Sequence, residues 1–403
     1  MHQVMKGVRV LEVAQFTFVP AAGAVLADWG ADVIKVEHPV TGDAQRGLLR
    51  VAGADNTGQI NFLMEHANRG KRSIGIDIKH EQGRELLYEI ARSSDVFLTN
   101  FLPASRQKLQ IDLEHIRAVN PKIIYARGSA LGDLGPEREN GGYDSTAYWA
   151  RGGSGMGGKQ MGDPPAMQPG PAYGDSIGGM TIAGGIAGAL FARERTGEPS
   201  VVDISLVGTG VWAMGCGITA SMLSGEDFKP PAGATFINPL VGLFATKGGG
   251  FLILTMLQGF PYWADTVTHV GRPELAEDPR FATAEEFAKH SAEASQELRE
   301  AFATATLEEW RGRLATMRGQ WGPFQTTKQI PSDAQVLANG QIVEVDKGDG
   351  STFKLVASPV LFDQTPFELR KGPEHAQDTE QILLEMGLEW DRIEALKQAG
   401  AVN

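Results

Sequence analysis

The first 130 residues alternate between two apolar patterns. Short, near-continuous apolar runs at Gly7–Val13, Asp32–Glu37, Arg72–Asp77, Asp95–Thr99 and Ile123–Arg127 read as buried strands. Between them, helical spacing predicts helices from about Pro20 to Trp29, Glu81 to Ser93, and Ser105 to Asn120. Gly30 stops the first of these. This alternation implies an α/β fold, a mostly parallel sheet with helices on both faces. Ligands in such sheets bind beyond the carboxyl ends of the strands, here Ala14 to Phe18, His38, Asn100-Phe101 and Gly128-Ser129.

Further on, Asn140 to Gly170 is rich in Gly, Pro and Met without apolar periodicity, which predicts a functional loop system. A small-residue helix is expected over Thr181 to Arg193, a strand near Val201–Leu206, and an apolar helix through about Met222. Ser224 to Gly233 reads as a polar linker. A second module follows, with strands near Leu243–Ala245 and Phe251–Thr255 around the turn Lys247–Gly250, then helices near Phe260–Val270, Ser291–Ala303 and Leu307–Arg318. The tail returns to strands at Gln341–Lys347 and Thr352–Ser358 and helices at Asp378–Met386 and Asp391–Ala399. The expected organisation is a large domain over 1–223, a smaller α+β domain over 224–330, and a segment 331–403 returning to the large domain.

Composition narrows the function classes. With 403 residues, 42% hydrophobic and 21% charged, the chain is long and apolar enough for two folded domains. Its 37 basic and 49 acidic residues leave a net charge of −12 with no basic cluster, which argues against nucleic acid and anionic membranes as partners. A few lysines and helix N-termini can still hold a phosphate. The single cysteine, Cys216, excludes an intrachain disulfide and a cysteine-cluster metal site, and fits a reducing compartment. No apolar signal region over Met1–Gly7 and no stretch of membrane-span length is expected, so the chain reads as cytoplasmic.

Several familiar chemistries lack their residues. Glu37 stands where an acidic ribose ligand belongs, yet the loop Ala14–Pro20 has none of the G-x-G-x-x-G glycines, which argues against an NAD or FAD site. Gly153–Lys159 begins like a phosphate-binding loop, but Gln160 replaces the required Ser or Thr and Pro164-Pro165 forbids the following helix. None of the eight histidines has a metal-binding spacing, and no metal is expected. A G-x-S-x-G elbow is absent. What remains is Gly174-Asp175-Ser176-Ile177-Gly178-Gly179-Met180. Here Asp175 lies at or just before a helix N-terminus, whose N–H groups favour a charged carboxylate. Such an aspartate is either a helix cap or a nucleophile, and the heptapeptide leaves both open.

The motifs Gly7–Glu12, Leu26–Glu37, Asn68–Ile74, Thr99–Phe101, Gly174-Asp175, Thr196-Gly197, Val202–Leu206 and Glu374-His375 together resemble the family III CoA-transferases over nearly the whole chain. The resemblance implies a Rossmann-like large domain, an interlocked homodimer, and acyl-CoA as substrate with no tightly bound cofactor. It makes Asp175 the nucleophile that forms a mixed anhydride and then an aspartyl-CoA thioester. It places CoA contacts on Phe16, Thr17, His38, Ile76, Lys79, Asn100, Phe101, Lys108, Leu109 and Tyr143. Oxyanion and loop candidates are Gln15, Thr17, Gly178, Gly179, Gly153 and Gly155. The family's formyl-CoA transferases carry arginine at the His38 position, lysine at Gly141 and glutamine at Thr17, and a glycine-rich insertion that Gly248–Gly250 does not reproduce. A bulkier acyl group than formyl or oxalyl is therefore expected. The alternatives are an α-methylacyl-CoA racemase, whose catalytic histidine position is Tyr143 in Gly142-Tyr143-Asp144, and a non-catalytic CoA-binding protein. Tyrosine is a poor base at neutral pH, which favours transfer.

Overall fold

A computed structural model describes residues 3–51, 54–55, 60–157, 164–228 and 238–403. Six strands, β1 (Arg9–Val13), β2 (Asp32–Glu37), β3 (Arg72–Gly75), β4 (Val96–Thr99), β5 (Ile124–Ser129) and β6 (Val201–Ser205), form one all-parallel sheet in the order β3-β2-β1-β4-β5-β6. The strand order reverses at β1, so the crevice between the loops after β1 and β4 is the expected ligand position. Successive residues of each strand enter opposite cores. Val10, Val33 and Leu98 pack on one face, while Leu11, Ile34 and Phe97 pack on the other.

On the first face lie α1 (Phe18–Asp28) and the long α6 (Tyr173–Thr196), with α2 (Phe62–Asn68) packed against α1; the second carries α3 (Glu81–Arg92), α4 (Pro103–Lys108) and α5 (Leu113–Val119). The single helix expected over Ser105–Asn120 is two. Gln110 takes a left-handed conformation, φ 56°, and the Asp112 carboxylate caps a new start at Leu113. After β6, the expected single helix is α7 (Leu206–Ala213) and α8 (Gly215–Ser224), bent by 69°.

α6 begins at Tyr173, well before the expected Thr181, and runs for 24 residues. Its length and mean hydropathy of 1.2 match those of a membrane span, contrary to the expectation that no such segment exists. Small residues let it approach α1 closely. A Cβ on Gly179 would lie 2.7 Å from the Cβ of Ala21 and 3.1 Å from the backbone N of Ala22. The two helices therefore touch almost backbone to backbone within their first two turns.

The described residues divide into two compact units. One contains the six-stranded sheet and everything from Ala334 onward; the hairpin Ile342–Asp346 with Thr352–Val356 packs Val345 into the α1–α6 core. The other, within 238–333, is a three-stranded antiparallel sheet over a core of Trp263, Phe281, Phe287, Phe302 and Trp310. Part of the expected linker, residues 229–233, and the Gly158-Lys159-Gln160 end of the phosphate-loop look-alike lie outside the described residues.

Candidate active site

The loop leaving β1 is fixed in a strained shape from below. Phe16 holds φ +64°, which costs a bulky residue energy, and its N–H donates to Asp43 Oδ1 at 3.1 Å. Asp43 is in turn paired with Lys35 at 2.8 Å; Lys35 also reaches Glu12 at 3.4 Å and donates to the Ala14 carbonyl at 2.9 Å. Lys71 closes the network on Glu12 at 2.7 Å, and the side chains of Glu12, Lys35, Lys71 and Asp43 are fully buried. Burial alone would discharge Lys35, but Asp43, Glu12 and Glu37 hold its pKa above the ordinary lysine value. Lys71, with weaker compensation from Glu12, is brought down by burial to about 7.

Asn100 clasps the same loop. Its side chain accepts from the Gln15 N–H at 3.1 Å and donates to the Gln15 carbonyl at 2.6 Å. Glu37 is similarly absorbed by the scaffold, gripped by Arg46 at 2.7 Å on both oxygens and by Ser73 at 2.7 Å. Against its burial, the Arg46 hydrogen bond and the Lys35 charge keep Glu37 at about 2. An ion-paired Glu37 is not free to hold a ribose, which agrees with the missing dinucleotide glycines.

The first turn of α6 stands beside this loop. The ring of Phe18, the first residue of α1, occupies the space over Gly178, where a Cβ would come within 2.3 Å of it. Tyr148, from the π-helical turn Ser145–Arg151, lies against Gly174, and both Tyr148 and Trp149 meet Tyr173 edge-on at 6.2 and 6.0 Å. Asp175 is the third residue of the helix, past the cap. The capping position is Ala172, at φ 58°, with no side-chain cap bond. The capping reading therefore does not hold. Among the described residues no donor engages the half-buried Asp175 carboxyl, and burial, followed by the charge of Asp144, pushes its pKa up to about 8. The sequence expectation of a helix end keeping Asp175 ionised gives way because desolvation outweighs the distant dipole when no N–H bonds the carboxylate.

Gly178 and Gly179 lie within the helix, so their N–H groups are spent in its ladder and are not oxyanion donors; packing on α1 is what requires glycine there. The free donors of this turn are the N–H groups of Tyr173, Gly174 and Asp175. Gly153, at φ +92°, and Gly155, crowded by Trp149, shape the neighbouring loop.

Gln15, His38, Ile76, Lys79, Phe101 and Leu109 line a single cleft of about 240 Å³ at the carboxyl ends of β1, β2 and β3. His38 is oriented by its Nδ1, which accepts from the N–H groups of Val40 and Thr41, both at 3.2 Å. Phe16 meets Tyr143 edge-on at 5.7 Å, and the Thr17 hydroxyl donates to Gln45 at 2.7 Å. Lys108 is exposed on α4 and is not part of the cleft lining. Sequence reasoning missed His66, whose Nε2 lies 2.9 Å from the Ser176 hydroxyl, next in sequence to Asp175. Its only signal was proximity to the Asn68–Ile74 motif.

The elevated Asp175 pKa has a stability consequence. Between pH 4 and 8 the unfolded chain has released a proton that the folded chain keeps, so wild-type stability falls as pH rises through this window. Asp175→Asn removes that cost, of order a few kcal/mol at pH 8. Thermal melts should show the variant's advantage over wild type widening from pH 5 to pH 8; a constant difference contradicts the assigned environment.

Comparison with known proteins places this arrangement. Residues 5–379 match CoA-transferase family III. The chain is 28% identical over 403 residues to the (R)-2-hydroxy-4-methylpentanoate CoA-transferase of Clostridioides difficile, covering 99% of each chain. It is 30% identical to the cinnamoyl-CoA:phenyllactate CoA-transferase of Clostridium sporogenes, covering 97% of this chain and 95% of the relative. A solved CaiB/BaiF family protein from Brucella suis superposes with a TM-score of 0.81 at 27% identity, covering 96% of this chain and all of that one. With its parallel sheet, its cleft and Asp175 in the first turn of α6, the chain belongs to CoA-transferase family III and is a CoA-transferase.

Proposed function

We propose that the enzyme moves CoA between two carboxylic acids through covalent intermediates on Asp175. The observation that carries this reading is an uncapped, unpaired carboxyl in a glycine-flanked first turn, with three unused N–H groups beside it. Asp175 attacks the thioester carbonyl, the C–S bond breaks, and CoA leaves as thiolate with an acyl-aspartyl anhydride remaining. The thiolate then attacks the aspartyl carbonyl and releases the first acid. A second carboxylate attacks the aspartyl-CoA thioester, and the returning thiolate takes the new acyl group and frees Asp175. With a pKa near 8, about a tenth of Asp175 is ionised at pH 7, in a form more basic and more nucleophilic than a free acid's carboxylate. The N–H groups of Tyr173, Gly174 and Asp175 stabilise the developing oxyanion.

CoA lies in the cleft, with Ile76 and Lys79 at its adenine and His38, Phe101 and Leu109 along its length. One of the two acids is a 2-hydroxy acid, as 2-hydroxy-4-methylpentanoate is for the first relative above and phenyllactate, beside cinnamate, for the second. Racemisation is disfavoured because the side chain at the racemase histidine position, Tyr143, packs against Phe16. Incubation of an acyl-CoA with a second acid in deuterated water separates the readings. Transfer without deuterium at the α-carbon is expected, and α-deuteration without transfer contradicts it.

The functional unit is a homodimer. α6 exposes Ile177 and Phe191, α7 exposes Val211 and Trp212, and α8 exposes Met222 and Leu223. So much apolar side chain on three consecutive helices calls for cover by another protein surface. Light scattering should give twice the chain mass; a monomer at micromolar concentration contradicts this.

A further inference from the structure

The Glu374-His375 motif does not line the cleft and takes no part in the proposed cycle. It lies in a segment hydrogen-bonded to the edge strand β3. Ala376, at φ 56°, donates its N–H to the Ser73 hydroxyl at 2.9 Å. Asp378 exchanges two bonds with the Ser73 backbone, its carboxylate accepting at 2.8 Å and its N–H donating at 2.9 Å, and the Thr379 hydroxyl accepts from the Gly75 N–H at 3.0 Å. From this anchorage His375 reaches across the end of β2. Its Nε2 lies 2.9 Å from the His38 carbonyl oxygen, which can only accept, so Nε2 carries a proton and donates it.

That carbonyl opens a turn. It also accepts from the Gly42 N–H at 2.9 Å, while the His38 ring folds back so that Nδ1 accepts from Val40 and Thr41. With Nδ1 committed as an acceptor, the ring proton is on Nε2, the one donor the His38 ring has to offer. His38 and Thr41 both line the cleft. The Gly42 bond closes the turn on itself and fixes nothing outside it. The His375 bond ties the turn to β3, and its ring also lies against the turn's far end, where a Cβ on Gly42 would sit 3.2 Å from His375 Cδ2. One imidazole therefore meets both ends of the His38–Gly42 turn. A ligand donor on a turn that ordered only on binding would lose affinity to that ordering, and a tie made beforehand avoids the loss.

We propose that His375 is a positioning residue for CoA: through the His38 carbonyl it holds the His38–Gly42 turn so that the His38 Nε2 donor is set for an oxygen of CoA. This rests on the reading of the cleft as the CoA site. His375 then acts on CoA affinity and leaves the chemistry at Asp175 alone.

Titration calorimetry with CoA on the full-length enzyme tests this, with labelled self-exchange beside it. In self-exchange an acyl-CoA is incubated with its own acid in ¹³C-labelled form, and label entering the thioester is followed by mass spectrometry; propanoyl-CoA, 2-hydroxy-4-methylpentanoyl-CoA and phenyllactyl-CoA are the probes. His38→Ala should weaken CoA binding by roughly 10-fold, and His375→Phe, which keeps a ring and loses the donor, by roughly 3- to 10-fold with kcat within about 2-fold. His375→Gln can reach the same carbonyl with an amide N–H and should restore most of the affinity; His375→Asn is too short and should not. Combining His38→Ala with His375→Phe should weaken binding by no more than about 2-fold beyond His38→Ala alone, because one residue acts through the other. A merely structural role gives losses that add. Calorimetry needs no turnover, so the comparison holds whichever acid is the substrate. Unchanged affinity in His375→Phe, additive losses in the double variant, or a fall in kcat with affinity intact overturns the proposal and leaves the cleft reading standing. Should His375→Phe not fold, equal affinities of His375→Gln and His375→Asn overturn it. Unchanged affinity in His38→Ala defeats the cleft reading and the proposal together.

Discussion

Asp175→Ala is expected to lower CoA transfer by roughly 10⁴-fold or more while CoA affinity stays within about 3-fold of wild type. The expected loss is large because in the proposed cycle every bond change passes through the Asp175 carboxylate, and neither Asp144 nor any other carboxylate shares the first turn of α6. Asp144 is buried and accepts from Gln168 Nε2 at 3.2 Å, which occupies it elsewhere. Affinity is spared because the cleft assigned to CoA is lined by residues at and just after the β1, β2, β3 and β4 ends and by Leu109 after α4, none of them on α6. Labelled self-exchange and titration calorimetry measure the two quantities. A parallel loss of binding and turnover would assign Asp175 to holding CoA.

The second large effect is on the fold. Lys35→Met leaves the fully buried Asp43 without its cation and Glu12 with only Lys71, and breaking a buried charge network in this way costs about 3–5 kcal/mol. It should also loosen the β1–α1 loop, since Asp43 is what holds the Phe16 N–H in its left-handed conformation. Denaturant unfolding and CoA binding should both deteriorate. Arg9→Met is the contrast. Its pairing with Asp32 is about a third exposed on both sides, so its loss costs between 0 and about 1 kcal/mol. Equal costs for the two substitutions contradict the assigned role of the buried network.

The strands were legible in the sequence because each is a short apolar run feeding both cores. Asp32–Glu37 is recovered to the residue. The helices were legible where their spacing continues for three turns, as in α3. They were misread where a single residue breaks the pattern, because the left-handed Gln110 between α4 and α5 carries no glycine to announce it. α2 went unread for another reason. Seven residues are too few for a 3.6-residue period to stand out, and with it His66 was missed.

Asp175 was legible through its glycines and the family motifs, but its environment was not. A helix N-terminus suggested an ionised carboxylate, whereas burial and then the charge of nearby Asp144 push its pKa up. Asn100 shows the same gap. It falls in a motif, and sequence cannot distinguish touching CoA from clasping the loop at Gln15. Sequence pattern reports which residues share an element; which donors those residues have already spent emerges only when the elements pack.

A covalent aspartyl intermediate is central to the proposed function, and trapping tests for it most directly. Enzyme is mixed with an acyl-CoA that supports self-exchange, quenched with hydroxylamine, digested and analysed by mass spectrometry. A hydroxamate is expected on Asp175, only when acyl-CoA is present, and absent from Asp175→Asn. A hydroxamate on any other carboxylate, or label exchange at full rate with no trapped aspartate, contradicts it.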